Sequence, residues 1–320
     1  MQSSAVWNSG RRGLRRKHLG SFRAPEGRGG SVGLTETGSE RFRAVPFPIQ
    51  RRLVVDAGRH ARRMSLVHGL LEFDITLVRR RLQAERERTG ERPSLTAYMA
   101  ACLGRAVAAD RSVQAYRDWR NRLVIFDDVD IALMVEMRTA AGSFPVVHVV
   151  RAADKRSLRQ IDAEIRELRT GRQDHIGLGY GRGARLFARL PRFVRDLVYR
   201  YYKAEPCRWK QQGGTVGLTA VGMLGQGGGW GIHCSNSNLS VCTGGITERP
   251  VYIDNVLTRR EFLCVTVAFN HDIVDGGPAA RFVTLFRRLV ETAALLSPEA
   301  EAPIHDRAAR HELAVTVQSA

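Results

Sequence analysis

Lysine is scarce in this sequence, and paired cysteines and long apolar runs are absent. The 50 basic residues include four lysines, Lys17, Lys155, Lys203 and Lys210. The five cysteines are scattered and never spaced as CxxC, which argues against a disulfide framework or a zinc site and suits a reducing compartment. No apolar run approaches the roughly 18 residues of a membrane span, and no secretion signal is recognisable. We therefore predict a cytoplasmic globular protein without a metal.

Arginine dominates the charge, and the formal net charge is +18. Such an excess attracts nucleic acid, anionic lipid or a polyphosphorylated cofactor. A third of it lies in residues 1–46, which carry nine basic and three acidic side chains. Because no helix-turn-helix, zinc-finger or aromatic ribonucleoprotein pattern accompanies the charge, nucleic acid is not the predicted partner.

Composition divides the chain into three parts. Residues 1–45 are rich in glycine, serine and arginine without hydrophobic period, which predicts a disordered basic arm. Residues 46–297 alternate helical and strand patterns and are predicted to form one domain of the α/β class. Residues 298–320 are predicted to be a flexible tail. A glycine-rich link and a basic amphipathic helix at about 171–212 read as an insertion.

Several local patterns predict elements of that domain. RRLVVDAGRHARRM predicts a first helix, and LLEFDITLV a strand. Ser94 or Thr96 is predicted to cap a buried helix, and Ser157 an amphipathic one. RLVIFDDVDIALMVEM predicts a hairpin, whose acidic trio we interpret as a turn rather than a magnesium site because no second acidic cluster accompanies it. His148, in the strand that follows, is interpreted as a packed core residue.

The basic segment RLFARLPRFVRDLVYRYYK places apolar residues at helical spacing with arginines between them. Such a helix can lie on a membrane surface, or it can dock on its own protein. We favour docking and leave contact with a membrane surface open. The apolar positions are Leu186, Leu190, Phe193, Val194, Leu197, Val198 and Tyr201.

The stretch VAFNHDIVDGGPAARFVTLFRRLVE places a histidine where a strand ends. His271 there could enter a cleft and transfer protons near neutral pH. Asp275 and Gly276 predict a turn in which glycine takes a positive φ, and Pro278 predicts the start of a helix. The spacing HxxxDG is equally compatible with a capped turn that happens to contain a histidine.

HDIVDG and the helix after it resemble the C-terminal motif of the catalytic domain of dihydrolipoamide acyltransferases, the core components of 2-oxoacid dehydrogenase complexes. RRLVVDAGRHARRM, VIFDDVDIALMVEM, FPVVHVVRAADKRSLRQIDAEIREL and GGTVGLTAVGMLG resemble further segments of the same domain. The resemblance implies the chloramphenicol acetyltransferase-like fold, a mixed sheet with helices packed on it in an α+β two-layer sandwich.

The resemblance also implies roles for single residues. His271 would be the general base, and Thr219, in the GTxxxSxxG-like stretch, would donate a hydrogen bond to the tetrahedral oxyanion. Asp275 would be structural and would pair with an arginine of the first helix, for which Arg62 and Arg63 are both candidates. The acyl donor would be a coenzyme A thioester. Base and hydroxyl would come from neighbouring subunits of a homotrimer, or of a larger assembly of trimers.

Three departures bear on the substrate. No lipoyl-lysine hairpin precedes the domain, so we expect no lipoyl attachment in this chain and a stand-alone enzyme. Asn270 and Asp272 replace the acidic and basic residues that commonly flank the histidine. GGGWGIHCSNSNLS departs from the family's proline-containing loop, and we interpret its His233 as an exposed loop histidine. The acceptor, whether dihydrolipoamide-like thiol, hydroxyl or amine, is left open.

Two other functions compete with acyl transfer. One is a catalytically inactive trimeric scaffold that binds a partner or a membrane through its basic helix. The other is nucleic-acid binding through the arginine-rich arm, which would show steep salt dependence. Acyl transfer is favoured because a scaffold needs neither a base nor an oxyanion donor.

Overall fold

We analysed the chain in a computed structural model. It describes Ala44 and residues 46–49, 51–91, 93–139, 142–169, 182–221 and 227–296. Apart from Ala44, the predicted arm therefore lies outside the described residues, as do the predicted tail and the glycine-rich link at 171–181. Among the described helices, none is long and apolar enough to cross a bilayer.

Eight helices and eight strands make up the described part. The helices are α1 (Arg51–Ala61), α2 (Thr76–Thr89), α3 (Leu95–Ala109), α4 (Leu158–Arg169), α5 (Arg182–Arg189), α6 (Arg192–Ala204), α7 (Pro206–Gly213) and α8 (Gly276–Glu291). The strands are β1 (Leu66–Asp74), β2 (Tyr116–Arg117), β3 (Leu123–Val124), β4 (Ile131–Thr139), β5 (Gly142–Val150), β6 (Val216–Ala220), β7 (Leu239–Ile253) and β8 (Val256–Asn270).

A mixed six-stranded sheet with the order β1-β8-β7-β6-β4-β5 forms the centre of the fold. β8 runs antiparallel to β1 and β7, whereas β6 runs parallel to β7 and β4. In register, Leu218 lies beside Val241, which lies beside Val267, and all three are buried. Their face of the sheet packs against the helices and holds the core, which agrees with the predicted mixed sheet under helices.

Helices α3 and α8 form the buried layer on that face. Ser94 caps α3, because its hydroxyl accepts the backbone N–H of Ala97 at 3.1 Å. The Tyr98 hydroxyl donates to the carbonyl of Leu289 in α8 at 2.9 Å, so a buried polar group fixes the two helices together. The apolar rings of Phe282 and Phe286 stack at 5.8 Å within this layer.

The basic segment forms two helices rather than one, because Pro191 has no N–H with which to continue α5. α6 docks on α1, as predicted, and the contact is ionic: Arg195 Nε lies 2.6 Å from Asp56 Oδ2, with both side chains buried. The Tyr199 ring stacks on His60 of α1 at 3.9 Å between centroids.

Two sequence predictions about strands are wrong. Leu123 and Val124 do not pair with β4; they pair antiparallel with Tyr116 and Arg117 in a separate two-stranded ribbon. The strand predicted at LLEFDITLV starts earlier and ends at Asp74, whose carboxylate accepts the backbone N–H of Thr76 at 2.9 Å as α2 begins. In both cases a strand forms where the pattern predicts one, but contacts with other parts of the chain determine the partner of the first strand and the end of the second.

Candidate active site

His271 follows the last residue of β8 and is exposed. Its backbone N–H donates to the carbonyl of Ser65 at 2.8 Å, which ties the strand end to the turn between α1 and β1. The next two hydrogen bonds of the turn run from Ile273 and Val274 N–H to the carbonyl of Asn270. The backbone of the histidine is thus fixed on both sides while its imidazole faces solvent.

Asn270 and Asn238 hold this strand end together. The backbone N–H of Asn270 donates to the Asn238 carbonyl at 2.8 Å, and Asn270 Nδ2 donates to Asn238 Oδ1 at 3.0 Å. Asn238 Nδ2 in turn donates to the carbonyl of Ala115 at 2.7 Å, and Asn270 Oδ1 accepts the N–H of Asp272 at 3.2 Å. Both amides are buried. Asn270, which departs from the family pattern, therefore donates a hydrogen bond to Asn238 that a carboxylate at the same position could not donate.

Thr219 lies on β6, half-buried, on the face of the sheet opposite the core helices. It is level with Cys242 of β7 and Thr266 of β8. His271 lies two strands away and five residues further along, so the two residues are about 10 Å apart across the sheet and about 17 Å apart along it. Within one chain the structure does not bring the predicted base and the predicted hydroxyl together.

The predicted ion pair of Asp275 is not present within the described part of the chain. Asp275 precedes α8 and is exposed, while α1 ends at Ala61 and leaves Arg62 and Arg63 exposed in the following turn. Among described residues neither arginine forms an ion pair. The turn is nevertheless next to the histidine, because Ser65 two residues later accepts its N–H.

Gly276 does not need the conformational freedom that was predicted for it. It is the first residue of α8, its φ is not positive, and a Cβ added there would meet nothing within 4 Å. The turn is made instead by residues 271–273, because the Asn270 carbonyl accepts two N–H groups. The expectation was wrong about where the chain reverses, and helix α8 begins two residues before Pro278, where its start was predicted.

The loop at 227–238 covers the second face of the sheet. His233 is not the exposed histidine that was predicted: Nε2 lies 2.8 Å from the hydroxyl of buried Ser240, and burial, with His68 nearby, lowers its pKa. Gly245 N–H donates to the Gly229 carbonyl at 2.9 Å, and a Cβ on Gly244 would lie 2.1 Å from that oxygen. Loop backbone therefore packs directly on strand backbone.

A lysine and a tryptophan ring lie behind the strand end. The Lys203 ammonium donates to the carbonyl of Asn236 and sits 4.1 Å from the centroid of the Trp209 ring. Burial lowers the pKa of Lys203 to about 7. Asn236 also donates to the carbonyl of Ala57 in α1 at 3.2 Å, so α6, α1 and the loop before β7 meet here. Sequence analysis missed this cluster, because nothing in the spacing of its members relates them.

Two of the three acids Asp127, Asp128 and Asp130 have structural partners. Asp128 pairs with Lys155 at 2.5 Å, and Asp130 pairs with Arg151 at 2.8 Å and accepts the N–H of Ala152 at 2.9 Å. No group of three metal-ligating side chains occurs among the described residues. His148 is half-buried and contacts Glu164 at 2.5 Å between Nε2 and Oε1.

The fold is that of the dihydrolipoamide acyltransferase catalytic cores. The structure superposes on that of a probable dihydrolipoamide acetyltransferase from Listeria monocytogenes with a TM-score of 0.60 and 18% identity, covering 83% of this chain and 100% of that chain. This likeness confirms the predicted fold class.

Sequence comparison identifies the family to which the chain is related. Residues 188–297, which include both Thr219 and His271, match the model of the 2-oxoacid dehydrogenases acyltransferase (catalytic domain) family. A dihydrolipoyllysine-residue acetyltransferase component of the pyruvate dehydrogenase complex from Zymomonas mobilis is 28% identical over 104 residues, 31% of this chain. A lipoamide acyltransferase component of the branched-chain alpha-keto acid dehydrogenase complex from Pseudomonas putida is 33% identical over 92 residues, 29% of this chain.

The matched stretch spans 22% of the length of each of these two relatives. The resemblance inferred from the sequence, to the catalytic domain of dihydrolipoamide acyltransferases, is confirmed over this stretch.

Proposed function

We propose that this protein is a stand-alone acyltransferase that moves an acyl group from a coenzyme A thioester to a thiol, hydroxyl or amine acceptor. The observation that carries the proposal is the placement of His271, exposed at a strand end whose backbone is fixed by Ser65 and Asn270. A general base needs this combination of a fixed backbone and an accessible imidazole.

In the proposed reaction an imidazole nitrogen of His271 takes the proton of the acceptor as the acceptor atom attacks the thioester carbonyl. The tetrahedral oxyanion accepts a hydrogen bond from the Thr219 hydroxyl. Collapse of this intermediate breaks the carbon–sulfur bond, and the departing coenzyme A sulfur takes the proton from the imidazolium, which regenerates the neutral base. No acyl-enzyme forms, so the rate comes from proximity and base catalysis.

Because Thr219 lies far from His271 in one chain, we propose that each site takes its base from one chain and its hydroxyl from a neighbour. A closed ring of identical chains, of which a trimer is the smallest that we expect, supplies such an arrangement. Arg62 and Arg63, exposed beside the base and free of ion pairs among described residues, suit the phosphates of coenzyme A.

Mass-spectrometric detection of acyl transfer tests the reaction. A panel of coenzyme A thioesters is offered with dihydrolipoamide, simple amines and alcohols, and wild type is compared with His271→Ala. We expect transfer that falls by 10² to 10⁴ in the variant, the usual contribution of a general base. Asp272→Ala, in the same exposed turn, is the control and should retain activity. Full turnover by His271→Ala would reject the mechanism.

Mixing two inactive variants tests the shared site. When His271→Ala and Thr219→Ala chains are co-expressed in equal amounts, about a quarter of the sites regain both groups if each site draws on two chains. Activity should therefore return in the mixture and in neither variant alone. If the mixture co-assembles by native mass spectrometry and stays inactive, the two residues do not serve one intermolecular site.

A further inference from the structure

The outward side of α6 carries an apolar stripe that is mostly exposed in the described part of the chain. Phe193, Leu197 and Tyr201 recur every four residues and are 73%, 67% and 57% exposed. The opposite side of the helix is fixed to α1 by Arg195 and Tyr199. The helix therefore cannot rotate to bury the stripe against its own domain.

The tip of the β2–β3 ribbon extends this apolar surface. The backbone N–H of Trp119 donates to the carbonyl of Ala204 at 3.2 Å, which places the tryptophan beside the C-terminal end of α6. Its side chain is 66% exposed, and the Arg120 guanidinium lies 4.6 Å from the ring centroid. We call Phe193, Leu197, Tyr201 and Trp119 the outer patch.

Positive charge surrounds the outer patch. Arg189 and Arg200 are exposed, and neither forms an ion pair with a described residue. Arg208 stacks on the Tyr201 ring at 4.1 Å. Two of the nearby acids are already paired, since Asp196 pairs with Arg59 of α1 and Asp118 pairs with Arg122 of its own ribbon, while Glu205 at the end of α6 forms no ion pair with a described residue. The surface around the outer patch is therefore apolar at its centre and cationic at its rim.

We propose that the outer patch docks on the surface of an anionic phospholipid bilayer. Aliphatic and aromatic side chains can enter the boundary between headgroups and acyl chains while the rim arginines bind lipid phosphates. With 13 residues, α6 is about 20 Å long, so it can lie in the interface and cannot span the bilayer. A two-fold pairing of the patch with its own copy fits less well, because it would bring the same arginines together, and a head-to-tail contact between copies is tested by the assembly mass below.

This docking is independent of acyl transfer. Its residues lie outside the proposed catalytic groups, so the proposal stands or falls separately from the proposed function. It predicts where an active enzyme would be held, on the headgroup surface rather than free in solution.

Vesicle co-sedimentation of the full-length chain tests the proposal. Vesicles of phosphatidylcholine alone are compared with vesicles of phosphatidylcholine and 30% phosphatidylglycerol at physiological salt. We expect the protein to bind mainly to the anionic vesicles. Phe193→Ser with Leu197→Ser should weaken partitioning by roughly tenfold or more, because two large apolar groups no longer enter the lipid. Tyr252→Ser is the matched control, since that side chain is 77% exposed on the distant β7–β8 ribbon.

Three outcomes would overturn the proposal. If the wild-type protein stays in the supernatant with anionic vesicles at physiological salt, the outer patch does not dock on lipid. Equal binding by wild type and the Phe193/Leu197 double variant would assign lipid binding to another part of the chain, such as the basic residues 1–46. A change in assembly mass of the double variant without vesicles would identify a second copy as the occupant. Acyl transfer to a soluble acceptor should be the same in wild type and double variant.

Discussion

Replacing Asn270 by aspartate, the kind of residue common before the histidine in the related family, should destabilise this protein. The Asn270 amide donates to Asn238 Oδ1 at 3.0 Å, and a carboxylate cannot donate. Asn238 cannot reverse its amide without cost, because its Nδ2 donates to the Ala115 carbonyl at 2.7 Å. A lost buried hydrogen bond and a newly buried charge together should lower the free energy of unfolding by about 2–4 kcal/mol at pH 7.

The pH dependence of Asn270→Asp gives the sharper test. Burial should raise the pKa of the introduced carboxyl above its unfolded value of about 3.9. Between those two pKa values the native state binds more protons than the unfolded state, so the free energy of unfolding falls as pH rises. Once protonated, the carboxyl can donate to Asn238, and the deficit relative to wild type should shrink as pH falls from 7 toward 4.

Urea denaturation followed by circular dichroism, at one fixed chain concentration, measures both effects. Asn255→Asp makes the same chemical change at the exposed tip of the β7–β8 ribbon and should stay within about 0.5 kcal/mol of wild type. An Asn270→Asp protein as stable as the control at pH 7, or a deficit that grows on acidification, would refute the role assigned to the asparagine pair.

The remaining predictions concern helix α6. Asp56→Asn should lower the free energy of unfolding by about 3–5 kcal/mol, because it leaves Arg195 buried without its counter-charge. The double variant Asp56→Leu with Arg195→Met should lose less stability, because neither charge remains buried. Urea denaturation in which the double variant is no more stable than Asp56→Asn would contradict this. Burial lowers the pKa of Lys203 to about 7 from 10.5, so between these two pH values the unfolded chain binds more protons than the native chain. The free energy of unfolding of the wild type should therefore rise with pH relative to that of Lys203→Met. Parallel pH profiles of the two proteins in urea denaturation would contradict this.

The local patterns at the end of the chain were sufficient to predict the element that carries the candidate base. Alternation in REFLCVTVAFN predicts a strand, and the apolar positions that include Phe282 and Phe286 predict the helix after it. The structure has β8 and α8 there, with His271 between them. A histidine between two strongly periodic elements has its position fixed by residues close to it in sequence, which is why this part could be predicted.

What was missed depends on residues far apart in the chain. Leu123 and Val124 form a strand as their composition predicts, yet their partner is the preceding Tyr116–Arg117 segment rather than the buried β4. The distance between Thr219 and His271 follows from strand order and register, which no local pattern contains. Asn238 could not be predicted as the partner of Asn270, because nothing marks one asparagine within SNSN as the one that is buried.

The direct packing of the 227–238 loop on β7 also constrains how this protein can evolve. The Gly229 carbonyl is held by Gly245 N–H, and no side chain fits at Gly244 while that oxygen stays in place. Substitution at Gly244 alone forces the two backbones apart, and Gly229 has a φ of +141° that residues with a side chain rarely adopt, so neither position can drift by itself. Among homologous sequences we therefore expect these glycines to be retained together or replaced together with a change in loop length, a covariation that alignment can recognise even where overall identity is low.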